Sequence, residues 1–293
     1  MVNLNLVYPE KSDIRYKVSK FPDGQQTIDV EANQVHAISP HIKLSARLNN
    51  FKDLELIICA TQALRNCRKD VIISLYVPYF MGARSDRKFQ EGGVNYLKQV
   101  ICPIINSLKF NRVLVLDPHS DVLEACLDNF EKVDNHKLVQ WALTDIDNKD
   151  NVQDRVVLVS PDAGAYKKIF DVAQKFKIEN VITASKVRDI KTGNILRTEV
   201  PYINDYIRHK FVIIDDICDG GRTFLEIAKV IKEQQPDAEI YLIVTHGIFS
   251  KSFLELSKYF TKIYSTNSYS DIDVESHSDY TVSESFFEQF KVF

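Results

Sequence analysis

The stretch KFVIIDDICDGGRTF, residues 210–224, decides how the chain is read. It begins as an apolar, β-rich run fit for a buried strand, and the strand is expected to end at Asp215 and Asp216. The pattern predicts a turn at Gly220 and Gly221 and a helix entered at Thr223, with Asp219 and Thr223 suited to the cap positions. Glycine permits positive φ and close backbone approach. A helix N-terminus adds unpaired N–H groups and the positive end of a dipole, so the turn suits an anion such as phosphate. Asp215 and Asp216 would repel that anion and must face something else, either sugar hydroxyls or a metal ion. Phosphate at one end and hydroxyls at the other describe a ribose 5-phosphate; a capped turn with solvated acids is the plain alternative.

Outward from this stretch the same alternation repeats. LELIICA (54–60), VIISLYV (71–77), RVLVLD (112–117), RVVLVS (155–160), NVITAS (180–185) and EIYLIVT (239–245) are further β-rich runs. Most are almost continuously apolar, as expected of parallel strands covered on both faces. Between them, segments such as NYLKQVICPIINSLKF and FLEIAKVIKEQQP repeat apolar residues at helical spacing. The expected class is α/β, two tandem domains that each carry a central, mostly parallel sheet flanked by helices. The polar segment ALTDIDNKDNVQDR (142–155) separates two strand–helix series, and a boundary within it gives domains 1–147 and 148–293.

The 293 residues carry a formal net charge of -3 and no long basic run, which argues against duplex nucleic acid as a partner. No apolar run reaches the roughly 18 residues needed to cross a bilayer. The opening residues MVNLNLVYPEKSD lack the basic start and apolar stretch of a signal peptide. A cytoplasmic protein without membrane association is expected. Cys59, Cys67, Cys102, Cys126 and Cys218 are scattered and never spaced C-x-x-C, which argues against a disulfide framework and a thiolate zinc site.

Ligands of open parallel sheets bind beyond the carboxyl ends of the strands, so the residues just after each strand carry the functional reading. VPYFMGARSDRKF (77–89) gathers Arg84, Asp86, Arg87 and Lys88 beside Tyr79 and Phe80. Cations beside aromatics suit an anionic, planar ligand such as a nucleotide, and equally a solvated charged loop. LDPHSD (116–121) offers His119, and VSPDAGAYKK (159–168) offers Asp162. One imidazole and one carboxylate could hold a magnesium ion that keeps waters and takes its remaining ligands from phosphate oxygens; each also suits a structural turn. SKVRDIKTGNI (185–195) reads as a hairpin carrying Lys186 and Arg188, cations able to neutralise charge on a reacting phosphate or simply to stand exposed.

The acidic pair and glycine turn resemble the phosphoribosyl-pyrophosphate binding loop of type I phosphoribosyltransferases and ribose-phosphate pyrophosphokinases. That loop runs two acidic residues, two apolar ones, then D-T-[AG]-G-T; here Gly220 stands at the usual Thr and Arg222 at the usual Gly. Residues 77–89 closely resemble the P-Y-[FL]-x-x-A-R-Q-D-R segment of the pyrophosphokinases, with Ser85 at the usual Gln. The same family's D-x-H, S-P-D-x-G-x and K-R-R segments match around His119, Asp162 and 186–188, with Val187 at the middle position of the last. FPDGQQ (21–26) is similar to its F-S-D-G-E segment, with Gln25 for Glu, while THGIFS (245–250) and TNS (266–268) fit its architectural landmarks. DVLEACLDNF stands where Q-I-Q-G-F-F often follows the His.

The resemblance implies type I phosphoribosyltransferase-like domains and transfer of the β,γ-diphosphoryl group of ATP to the anomeric hydroxyl of ribose 5-phosphate, giving 5-phosphoribosyl 1-pyrophosphate and AMP. It implies that Asp215, Asp216, Asp219, Gly220, Gly221, Arg222 and Thr223 bind ribose 5-phosphate, and that Phe21, Asp23, Gln25, Arg84, Ser85 and Asp86 bind ATP. His119 and Asp162 would hold Mg2+, and Lys186 and Arg188 would be catalytic. A homo-oligomer, dimer or hexamer, is implied too, with the FPDGQQ loop of one subunit at its neighbour's ATP. Two alternatives stay open. One is a phosphoribosyltransferase, for which a single such domain would suffice. The other is a non-catalytic, pyrophosphokinase-like regulatory subunit, which would be expected to lose the hairpin cations or the magnesium contacts.

Overall fold

A computed structural model of the chain describes residues 1–147, 155–188, 195–251, 253–272 and 286–293, with the backbone alone at 186–188 and 195–196. It contains two compact units, Met1–Asp134 with Val292–Phe293, and Asn135–Lys291. Each is an α/β layer structure built on a parallel sheet. Among the described residues, no helix is long and apolar enough to cross a membrane.

The first unit runs β1 (Val2–Asn5), β2 (Tyr16–Lys20), β3 (Gln26–Val30), α1 (Ala32–Ala37), β4 (His41–Ser45), α2 (Phe51–Cys67) and β5 (Ile72–Tyr76). A π-helical turn, Leu97–Ile101, then continues into α3 (Cys102–Ser107), followed by β6 (Arg112–Leu116), α4 (Val122–Cys126) and β7 (Phe130–Val133). Its sheet has the order β1-β4-β5-β6-β7, every pair parallel, while β2 and β3 form a separate antiparallel hairpin. LELIICA (54–60), expected as a strand, lies inside α2. Its apolar residues fit either period, and the flanks decide. Asn50 accepts from the amides of Lys52 and Asp53 to cap a helix that buries Leu54, Ile57, Ala60, Thr61 and Leu64 along one stripe.

The second unit runs α5 (His136–Ile146), β8 (Val156–Ser160), α6 (Tyr166–Phe176), β9 (Val181–Thr183), β10 (Ser185–Arg188), β11 (Ile195–Glu199) and β12 (Lys210–Cys218). It continues with α7 (Arg222–Gln234), β13 (Glu239–Gly247), α8 (Leu254–Ser257), β14 (Lys262–Thr266) and β15 (Phe287–Phe290). The sheet order is β15-β14-β13-β12-β8-β9, all parallel, with β10 and β11 as a separate antiparallel hairpin.

The continuous apolar runs follow from burial on both faces. Phe211 and Ile213 join Phe224, Ile227 and Ile231 of α7 in one core, whereas Val212 and Ile214 join Leu138, Val139, Ile169 and Val172 of α5 and α6 in the other. Because α5 buries its apolar stripe in that second core, the compact units divide at Asp134 and Asn135, ahead of the helix. The boundary read from the polar segment, at 147/148, falls after it.

Candidate functional site

Parallel pairing brings the carboxyl ends of β8, β12 and β13 to one edge of the second sheet. The sequence predicted that β12 would end at the acidic pair. Instead the strand continues through Ile217, paired with His246, and Cys218, paired with Gly247. Asp215 and Asp216 thus sit inside the strand, Asp215 in register with Val244 of β13, beyond the point at Ile213 where the pairing with β8 ends. The amide of Asp216 donates to Asp215 Oδ1 at 2.9 Å, and that of Ile217 donates to Asp216 Oδ1 at 3.0 Å. Asp216 is only 4% exposed, and its Oδ2 is 3.4 Å from Lys168 Nζ on α6. Burial, then the like charges of Asp216 and Asp162, hold the Asp215 carboxyl well above the usual carboxylate range.

This is an acidic site that costs the fold stability. Raising a carboxyl's folded-state pKa above its unfolded value gives a stability that is fully present below the unfolded pKa and lost as pH rises through the folded one. Asp215→Asn is therefore expected to raise Tm at pH 7 by about 2–4 °C, the shift of roughly 1 kcal/mol in a chain of this size, and the difference should vanish in acid. Calorimetry showing an unchanged or lower Tm at pH 7 would contradict this account of the pair.

Beyond Cys218 the chain turns through Asp219, Gly220 and Gly221 and enters α7 at Arg222. The cap position is held by Gly221, with φ 74°, and no side chain caps the helix. Asp219 and Thr223 are therefore not the caps that the sequence predicted. Asp219 instead accepts from Ser250 Oγ at 2.6 Å, while the amides of Ile248 and Phe249 donate to the carbonyl of Cys218 and bind the turn to the loop after β13. A Cβ on Gly221 would approach Leu256 Cδ2 at 3.1 Å, on top of the left-handed backbone. Gly221→Ala is expected to cost about 1–2 kcal/mol, read as a lower midpoint in urea unfolding. Gly220 carries no such demand, since a Cβ there would meet only the Lys251 side chain at 3.4 Å.

Asp162 follows β8. Its Oδ1 accepts from the amides of Gly164 and Ala165, and its charge reaches Asp215. The hairpin expected at 185–195 is present as β10 and β11, in a register that pairs Lys186 with Thr198. The side chains of Lys186 and Arg188 lie outside the described residues, as do 189–194. The Arg222 guanidinium donates through Nε to Glu226 Oε1 at 2.8 Å, and Glu226 Oε2 accepts from Thr198 Oγ1 at 3.0 Å. Thr245, His246 and Thr266–Ser268 of the two landmark segments form a buried network, in which His246 Nδ1 meets Ser268 Oγ at 2.8 Å and Thr266 Oγ1 donates to the carbonyl of Thr245 at 2.6 Å.

In the first unit, the segment after β5 divides by polarity. Tyr79, Phe80, Met81 and Ala83 are buried while Arg84, Arg87 and Lys88 are exposed, so Phe80 is core rather than a partner for the cations. Arg87 lies over Phe89 instead, at 5.5 Å from the ring centre. Ser85 and Asp86 are half-buried; Ser85 donates its amide to Gly82, and the carbonyl of Asp86 accepts from Asn95 Nδ2 at 2.6 Å. His119 is exposed beyond the neighbouring strand β6, just after Asp117, which is buried at φ 40°. Phe21, Asp23 and Gln25 form the exposed tip of the β2–β3 hairpin, where Asp23 Oδ1 accepts from the amide of Gln25.

Lys168, Ser250, Thr198 and Glu226 were not singled out from the sequence. The Lys-Lys pair opening α6 was a visible signal for Lys168. The other three are joined to the turn only by folding.

A parallel sheet whose strand end carries an acidic pair, a glycine turn and a helix without a side-chain cap defines an α/β domain of the phosphoribosyltransferase-like type. The Phosphoribosyl transferase domain family matches residues 131–283, slightly more than half of the 293, and the chain belongs to that family. Among curated proteins it is 28% identical over 244 residues to a ribose-phosphate pyrophosphokinase of Marinomonas sp., covering 81% of this chain and 72% of that one. It is 29% identical over 245 residues to another from Cereibacter sphaeroides, covering 82% and 68%. The resemblance read from the motifs thus holds. The crystal structure of phosphoribosylpyrophosphate synthetase from Mycobacterium smegmatis shares the fold, with a TM-score of 0.73 at 15% identity over 97% of this chain and 88% of that one.

Proposed function

We propose that the chain is a ribose-phosphate diphosphokinase, moving the β,γ-diphosphoryl group of ATP to the anomeric hydroxyl of ribose 5-phosphate. The observation that carries this reading is the gathering of Asp162, the Asp215–Asp216 pair and the glycine turn at the carboxyl ends of two adjacent strands, β8 and β12. Phosphate suits the amides and dipole of the turn, Asp219 to Thr223, while the two carboxylates accept from ribose hydroxyls. The names of the similar proteins support the same chemistry.

Phosphoryl transfer asks mainly for alignment and charge neutralisation. Lys186 and Arg188 supply cations over the β-phosphorus and oppose the charge that builds there. Arg84, Ser85 and Asp86 meet ATP from their own strand end, and Phe21, Asp23 and Gln25 meet it from a neighbouring subunit of a homo-oligomer, dimer or hexamer, in the cytoplasm. Among the described residues, no three His, Cys, Asp or Glu side chains cluster as a metal cage. Magnesium bound through one or two side chains and completed by phosphate oxygens needs none, and the carboxylate oxygens of Asp162 fit such an ion. Asp162 in the second unit and His119 in the first are each residues that would hold such an ion, which when bound would neutralise ATP phosphates.

The test incubates the chain with ATP, Mg2+ and ribose 5-phosphate and follows AMP. AMP that forms only with the sugar present supports the reading. AMP without sugar, or none at all, overturns it, the second outcome pointing to a non-catalytic subunit.

A further inference from the structure

We infer that Glu226 is a positioning residue, fastening the hairpin that bears Lys186 to the helix behind the glycine turn through Thr198, and itself held by Arg222. The inference rests on the proposed catalytic role of that hairpin.

The hairpin stands outside the six-stranded sheet, so sheet hydrogen bonds do not hold it. Its root is fixed on either side by Ala184, fully buried, and Val200, packed on the same core. Between these points Thr198 provides a side-chain link, its hydroxyl donating to Glu226 Oε2 at 3.0 Å. Thr198 is also the residue paired in register with Lys186. Glu226 leaves α7 one turn after Arg222, the i,i+4 spacing that lets Arg222 Nε reach its other oxygen at 2.8 Å. Arg222 occupies a position of the turn where the related motif usually has Gly, so the arginine that departs from the motif is the one that fixes the carboxylate. The Arg222 side chain is 77% exposed and that of Glu226 25%, and exposed ion pairs add little to stability. What the chain of three contributes is placement. A shift of about 1 Å in a reacting cation can cost about 100-fold in rate.

Glu226→Ala and Thr198→Val are each expected to lower kcat about tenfold while leaving KM for ATP and ribose 5-phosphate within about twofold, because alignment is lost but not ground-state binding. Thr198→Ser keeps the hydroxyl and should stay near wild type. The double variant should be no slower than either single one, since both break one link. Backbone amides of residues 195–199 should exchange with deuterium roughly fivefold faster in Thr198→Val, an isosteric change that spares the fold. Unchanged exchange, or a raised KM with kcat kept, overturns the inference. A wild-type chain without turnover would refute the proposed function; exchange needs no turnover and judges the link separately.

Discussion

Lys186→Ala is expected to lower kcat by about 1,000-fold while KM for ATP changes by less than about threefold, because the ammonium acts on charge that develops only in the transition state. The backbone argument is one of position. Lys186 lies on β10 at the start of a hairpin that follows β9, whose neighbour β8 ends beside Asp162. Steady-state kinetics decide it. A loss confined to KM would make Lys186 a ground-state anchor and move the chemistry elsewhere. Arg188 follows a break in register between Val187 and Arg188, so the two cations need not act alike.

Asp216→Ala is expected to raise KM for ribose 5-phosphate by about 100-fold, the equivalent of losing roughly 3 kcal/mol in charge-assisted hydrogen bonds to hydroxyls. ATP binding should be much less affected. Two structural effects accompany the change. Lys168 loses the carboxylate at 3.4 Å, and Asp215 loses the nearest like charge that lifts its pKa, so the remaining acid ionises at lower pH. Isothermal titration with ribose 5-phosphate separates this from a catalytic defect; an unchanged affinity would remove Asp216 from the sugar.

The α/β class was legible because strands buried on two faces must be apolar at every position, as Phe211 to Ile214 are. LELIICA was misread because seven mostly apolar residues satisfy either period, and only Asn50 and the length of α2 separate them. VNLN, HIKLS and FEKV escaped notice because they are short and interrupted by polar residues, and their partners are supplied by distant segments. At the site, acids and glycines were legible as residue types. Their geometry was not. Nothing local says that β12 runs on to Cys218, or that Gly221 rather than Asp219 sits at the cap. The Thr198–Glu226 bond joins residues 28 apart and leaves no periodic trace.

The claim on which the account turns is that the backbone from Asp219 to Thr223 receives a phosphate whose sugar the preceding acids grip. A crystal structure of the chain grown with millimolar ribose 5-phosphate tests it most directly. The account predicts phosphate density against the amides at the start of α7, with ribose hydroxyls within hydrogen-bonding distance of Asp215 and Asp216. Sugar phosphate bound elsewhere, or a turn that stays empty at that concentration, would contradict it.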